Sequence, residues 1–542
     1  MNSLQTADYL VFLGYFIAVS LYGYWVYNRR KTANMTTQEF FLAEGSLTWW
    51  AIGASLIASN ISAEHFIGMS GSGFAIGLAI STYEWMAAAT LIVVAVFFIP
   101  LYIKNRIFTM PQFLAERYNQ TVSTVMAVFW LLVYVFVNLT SIIYLGAIAI
   151  NSISGLNFGW CIFFLCIFSV VVTLGGMKVI GYTDVVQVAV LLIGGLVTSY
   201  LALTLLSDHF GYGENAWKGL ILLKEKADDH FHMILGEDHP YYQDLPGLSV
   251  LIGGMWINNL NYFACNQYIT QRALGADLQT ARKGLLFAAF LKLLIPLIAV
   301  LPGIAMYVMY QEGIFVQEMT DATGKLKPDH AYPVLMNLLP AGLKGVAFAA
   351  LTAAVVASLA GKANSISTIF SLDLYRKYID AQASDRKLVW VGRLAVLVSI
   401  AIAGLVAPAL RTLDQAYQFI QEYVGFISPG VLAIFLMGFF WKRTTAKAAL
   451  WGALLTIPLS TILKFLPELS SGMISPIPFL DRMTIVFAVI VVMMMLTSLI
   501  SGTKQEGKTM QVESADFRVS SGFAIFATLI LGVLVALYTV FW

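Results

Sequence analysis

The chain has 542 residues, of which 59% are hydrophobic and 11% charged, with a formal net charge of +2. A water-soluble chain of this length needs far more charged surface, so the composition excludes a soluble multidomain protein and points to a lipid bilayer as solvent. No basic tract is interleaved with aromatics, which excludes a nucleic-acid binder.

Windows of about 18 or more apolar residues read as membrane-crossing helices. About fourteen are expected, over 8–28, 48–74, 80–104, 120–152, 158–175, 178–206, 247–271, 279–310, 341–376, 386–410, 414–441, 446–466, 479–500 and 519–541. They are helices one to fourteen here, and the fold class is all-α and polytopic. The first apolar run lacks a cleavage site of small residues and continues into Arg29, Arg30 and Lys31, so it reads as a span that is retained.

Short loops rich in Lys and Arg stay in the cytoplasm. Lys104, Arg106 and Arg117 follow helix three, and Arg272, Arg282 and Lys283 follow helix seven. Arg376, Lys377, Arg386 and Lys387 follow helix nine, and Lys442, Arg443 and Lys447 follow helix eleven. The longer acidic loops 207–246 and 311–335 then lie on the other side. With an even number of spans, both termini are expected outside the cell membrane, which for a bacterium is the inner membrane.

Cys161, Cys166 and Cys265 sit in apolar segments and read as small hydrophobic residues. His230 and His232 are expected in a solvated loop, not in a metal site. No hydrolase elbow, phosphate loop or dinucleotide fingerprint stands in a strand–turn–helix context, so no enzyme is expected. No loop is long enough to hold a sensor's output domain.

Two spans are unusual. Helix two carries Ser55, Ser59, Asn60, Ser62, Glu64 and His65 in the middle of an apolar run. Helix seven carries Asn258, Asn259, Asn261, Asn266 and Gln267. Polar groups in hydrocarbon cost several kcal/mol each unless satisfied, and they are tolerated where a helix unwinds around a cavity. Two such segments in matching positions of two halves point to a transporter built from inverted repeats. Ionisable residues in or near spans are functional candidates, and Glu64, His65, Glu84, Asp184, Lys292, Lys362 and Glu422 form that set. Each also has a plainer reading. Asp184 could be a wet cap near the end of helix six, Glu422 could pair structurally, and Glu84 and Lys292 could neutralise each other.

Several runs carry a family resemblance: GASLIASNISAEHFIGMSGSG over 53–73, YTDVVQ over 182–187, NQYITQR over 266–272, ANSISTIF over 363–370, YQFIQEYVGFISPG over 417–430 and FFWKRTT over 439–445. Together they resemble the sodium:solute symporters, and within that family the bacterial sodium/galactose and animal sodium/glucose cotransporters. The resemblance implies a ten-helix transport core over 46–445, made of five-plus-five inverted repeats 46–206 and 247–445 with two interrupted helices. Residues 1–45 would add an N-terminal helix and loop, and 446–542 would add C-terminal helices.

By that resemblance the sugar-binding residues are His65, Glu84, Asn259, Lys292 and Gln421. The gates are Met69, Tyr83 and Tyr417 outside and Tyr262 inside. Position 65 matches a Gln of the bacterial galactose transporter, and Ala87 replaces one of its hydroxyls. The implied Na+ ligands are carbonyls of Ala58, Ile61 and Ala354 and the Ser358 hydroxyl, and Asp184, beside Thr183, matches a possible second cation site. Ala357 removes one of two hydroxyls expected beside the cation. Lys362, four residues after Ser358, shares its helix face. The preferred reading has Lys362 snorkelling to the cytoplasm or pairing with a carboxylate. In the other reading its ammonium approaches the cation site, giving a sodium-independent or proton-coupled carrier. The expected partners are thus a small sugar, Na+ and the bilayer. The oligomeric state stays open.

Overall fold

The computed structural model describes residues 4–29, 47–174, 177–320, 324–412, 416–501, 507 and 509–542. Arg30, Lys31 and the loop up to residue 46 lie outside the described residues, as do position 175 at the end of helix five and positions 414–415 at the start of helix eleven. The regular elements of the described residues are all helices, with one isolated bridge between Thr320 and Leu326 and no sheet.

The membrane-crossing elements are α1 (Thr6–Arg29), α2 (Trp49–Asn60, Glu64–Met69 and Ser70–Ile76), α3 (Leu78–Lys104), α4 (Gln120–Ser154), α5 (Phe158–Thr173) and α6 (Met177–His209). There follow α7 (Gly254–Ala264 and Gln267–Leu274), α8 (Leu278–Gln311), α9 (Leu343–Tyr378), α10 (Asp385–Val406) and α11 (Ala416–Gly425 and Ser428–Phe440). The last three are α12 (Ala446–Lys464), α13 (Phe479–Ser501) and α14 (Ser521–Val540). Eleven spans among the described residues are long and apolar enough to cross a membrane. The other three elements are the shorter α5 and the two helices broken by polar residues, α2 and α7.

Both expected interruptions are present. The first α2 helix ends at Asn60, where Ile61 turns extended at φ −79° and ψ 122°. The chain resumes in a π-helical turn, Glu64–Met69. Wide turns of this kind free backbone groups from the regular ladder and recur at functional sites. In α7 the break falls at Cys265 and Asn266, and Asn266 is extended at φ −101° and ψ 126°. Sequence reading missed a third break, at Phe426–Ile427 of α11, where Pro429 opens the following helix. Proline there lacks an N–H that the first turn would leave unpaired in any case.

Burial orders the bundle. The apolar window of α9 is 89% buried, against 17% for α1 and 22% for α14. The central element is therefore α9, and α1 and α14 present their sides to lipid. Helix α1 is still anchored: the buried Asp8 carboxylate accepts the Gly342 and Gly345 amides at 2.8 and 3.0 Å, capping the positive end of α9.

Several basic side chains counted as loop charges are instead buried connectors. Arg117 donates to the carbonyls of Gly438, Trp441 and Thr444 at the end of α11, and Arg282 donates to Ala95, Asp516 and Arg518. Guanidinium groups suit helix C-terminal carbonyls because several donors meet several orphan acceptors. The opposite face gathers the start of α1, the end of α14 and the long loops. The Met233 amide donates to Phe541, and His232 lies 3.0 Å from the Trp542 carbonyl. His230 is buried there, contrary to the solvated loop expected: its ring stacks on Tyr307 at 3.8 Å, and Nε2 is 3.1 Å from the Phe74 carbonyl. Its Cα and carbonyl crowd Gly77, whose φ of +87° and missing side chain make the tight α2–α3 turn possible.

Candidate functional site

The α2 and α7 breaks, the start of α3, the middle of α8 and the first half of α11 line one cavity of about 80 Å³. This is well below the roughly 300–1,000 Å³ usual for small-molecule sites, so the site is contracted in this conformation. His65, Glu84, Asn259, Lys292 and Gln421 all line it, with Tyr83, Tyr262 and Tyr417. Met69 is fully buried in the π turn and is not part of this wall.

At its centre is a buried charge cluster. Lys292 Nζ is 2.6 Å from Glu84 Oε2, and His65 Nε2 is 3.2 Å from Glu84 Oε1. Lys292 also donates to Asn60 Oδ1, and the Asn60 amide donates to Tyr262 OH at 3.0 Å. Removal of water from such charges is tolerated because each one meets a partner and further hydrogen bonds. The cluster is net polar with its charges matched internally. Asn259 Nδ2 has no hydrogen-bond partner among the described residues, although it is buried in the same wall.

One end of the cavity is closed. The rings of Tyr83 and Tyr417 meet edge to face at 5.6 Å, and both residues are buried. Gln421 Nε2 donates to Tyr417 OH at 3.0 Å. Gly68 allows this closure: a Cβ there would stand 2.7 Å from that of Tyr417. From the tyrosine lid, on the side of the long loops, the cavity continues past Tyr262 to Phe129, Trp130 and Val133 in the opposite half of α4.

The other side of the α2 break faces α9. Ser358 Oγ donates to the Ser59 carbonyl at 2.9 Å, so the structure brings Ser358 to the unwound segment. Ala58, Ile61, Ala354 and Ala357 are all buried. Lys362 does not snorkel. It is 2% exposed, donates to Ser358 Oγ at 3.1 Å and makes no ion pair among the described residues. The side chain of a helical residue points back along its own helix, and here that direction leads into the protein, not out of it.

Asp184 is also not a wet cap. It is fully buried and accepts a hydrogen bond from Ser55, which in turn accepts from Arg272 Nε at 2.7 Å; Arg272 Nη2 is 3.7 Å from Asp184. Thr183 beside it is bonded to its own helix at the Ile180 carbonyl. Glu422 pairs with Arg482 of α13 and, at 3.1 Å, with Lys464 of α12. The sequence reading overlooked Asn60 as the bridge between Lys292 and Tyr262, although Asn60 stands inside the polar run of helix two. It also overlooked Arg272, hidden by its place near a loop.

The sodium:solute symporter family model matches residues 40–456. A sodium/glucose cotransporter of Vibrio parahaemolyticus is 45% identical, with all of this chain and 99% of the relative covered. The chain belongs to the sodium:solute symporter family. Human sodium/myo-inositol cotransporter 2 is 35% identical over 83% of this chain and 68% of its own, and mouse sodium/glucose cotransporter 1 is 33% identical over 83% and 70%. A solved structure of a Na+-coupled sialic acid symporter, in a substrate-bound outward-open state, superposes with a TM-score of 0.77 at 23% identity. That alignment covers 92% of this chain and 98% of the other, and it shows a shared fold.

Proposed function

We propose that the protein is a secondary active transporter that carries a sugar of the glucose or galactose type across the cell membrane in symport with Na+. The observation that carries this reading is the Glu84–Lys292 ion pair in the cavity wall, with His65 bonded to Glu84 and Asn60 to Lys292. A sugar is uncharged, and each hydroxyl both donates and accepts. Glu84 accepts, Lys292 donates, and the Asn259 and Gln421 amides do both. The sodium-coupled sugar carriers among the relatives support the same assignment.

The remaining roles follow from position. Tyr83 and Tyr417 form the outer lid and Tyr262 the inner cover. Met69, inside the π turn, acts on the lid through packing. Carbonyls of Ala58, Ile61 and Ala354 with Ser358 Oγ provide the oxygen-rich surroundings that hard cations prefer. Asp184 is a second cation position, reached through Ser55. Residues 46–445 form the transport unit with repeats 46–206 and 247–445, and 1–45 and 446–542 lie outside it. Both termini lie on the outer side with the long loops.

In transport, sodium at the α2–α9 seam stabilises the form in which α2 and the first half of α11 part and the lid opens. Sugar then enters against Glu84 and Lys292, the tyrosines close, and the path past Tyr262 releases both solutes. Coupling requires only that each solute bind the two forms with different affinity. Uptake of labelled glucose and galactose into proteoliposomes tests this. An inward Na+ gradient is expected to drive accumulation, and an equal K+ gradient is not. Equal uptake under both gradients contradicts symport.

A further inference from the structure

The cation position at Ser358 already has an occupant. The Ser358 hydroxyl gives its proton to the Ser59 carbonyl, and its remaining lone pairs accept from Lys362 Nζ at 3.1 Å. A sodium ion at Ser358 would bind the same oxygen. Two cations sharing one oxygen inside a protein repel strongly, because little water is present to screen them. Ala357 offers no second hydroxyl that would let them separate. The ammonium has a second neighbour: Lys362 Nζ stands 5.0 Å from the centre of the Tyr268 ring, a cation–π arrangement.

The surroundings provide an alternative place for it. Lys362 lines the sugar cavity as well as the seam, and so does Glu64. Glu64 is fixed by Ser141, which donates to Oε1 at 2.7 Å, and by Ser62 at 3.3 Å. The other charge whose field reaches Lys362 is Arg272 on α7, packed against α9 at Gly361. Arg272 repels the ammonium and Glu64 attracts it.

We infer that Lys362 is a tethered cation that fills the Ser358 position when the outer lid is closed, and that sodium binds there only by displacing it toward Glu64. This rests on the proposed cation site. It assigns Lys362 the role of setting sodium affinity, and it gives the empty carrier a positive charge at the seam without sodium.

The test is 22Na+ binding to the purified full chain in detergent, comparing wild type with Lys362→Met, Lys362→Gln and Lys362→Arg. Removing the tethered charge is expected to tighten sodium binding about tenfold, within the usual range for coupled sites, whereas Lys362→Arg leaves it at the wild-type level or weaker. The Gln variant keeps the test open if Met impairs folding. Unchanged sodium affinity in the Met and Gln variants overturns the inference. A Ser358→Ala variant separates the two readings. Sodium binding that ignores Ser358 removes the site assignment itself, and the inference with it. Sodium-indifferent sugar flux in the wild type, with tighter sodium binding in Lys362→Met, rejects symport and leaves the inference standing.

Discussion

On the cavity side of the α2 break, Glu84 stands between Lys292 and His65, with Asn60 completing the donors and acceptors. On the α9 side, a few residues away, the Lys362 ammonium has a hydroxyl and an aromatic face but no carboxylate in contact among the described residues. The first arrangement is electrically closed and suits a neutral, hydroxyl-rich solute. The second is open, a place where one positive charge is held by oxygens and can be exchanged for another. One unwound segment thus separates two kinds of recognition, by hydrogen bonding on one face and by charge on the other.

The largest effect expected from this contrast comes from breaking the closed side. Lys292→Met strands the Glu84 carboxylate in the protein. Removing one member of such a buried pair costs about 3–5 kcal/mol. Thermal unfolding should show that loss and sugar uptake should vanish. Adding Glu84→Gln should restore most of the stability without restoring uptake. Recovery of uptake in the double variant would mean that the pair is structural only.

The open side should respond differently. Ser358→Ala is expected to raise the sodium concentration for half-maximal uptake by about tenfold or more, the scale of one strong coupling, while the unfolding temperature hardly moves. If sugar binding without sodium weakens equally, the two faces are not separable. A smaller change follows at the lid. Tyr417→Phe removes the hydroxyl that accepts from Gln421 and frees that amide. The apparent sugar affinity should fall a few-fold, in keeping with roughly 1 kcal/mol for one hydrogen bond.

The interrupted helices were legible in the sequence because polar side chains at mid-bilayer have few other uses, and Asn60 to His65 and Asn258 to Gln267 stand out against apolar flanks. The pairing of Glu84 with Lys292 could be anticipated as mutual neutralisation. Lys362 was misjudged because sequence gives the distance along a helix and not which neighbour covers its end. Asp184 and Arg272 depart from expectation for the same reason: a place near a predicted helix end is not a place near water. The α11 break was missed because its flanks are apolar, and Pro429 alone does not distinguish a helix start from a kink.

A further effect lies outside the bundle and tests whether the lid region carries charge of its own. Burial, with the nearby Glu422 carboxylate, pushes Asp244 up to about 6. In the unfolded chain it would titrate near 3.8. A raised carboxylate favours the folded form only while protonated, so its ionisation costs stability as pH rises from about 4 to 6. Asp244→Asn should therefore melt slightly above wild type at pH 7 and together with it at pH 4. A constant difference across that range would exclude Asp244 as the source.

The central claim is that the two faces of the α2 break act on one conformational equilibrium. Linkage requires that if sodium tightens sugar binding by some factor, sugar tightens sodium binding by the same factor. The direct measurement is calorimetric titration of galactose at zero and saturating Na+, with 22Na+ binding at zero and saturating galactose, on the same preparation. The account predicts matching enhancements of about fivefold or more in both directions, within the usual range of coupled sites. Sugar affinity that is the same with and without sodium would contradict it.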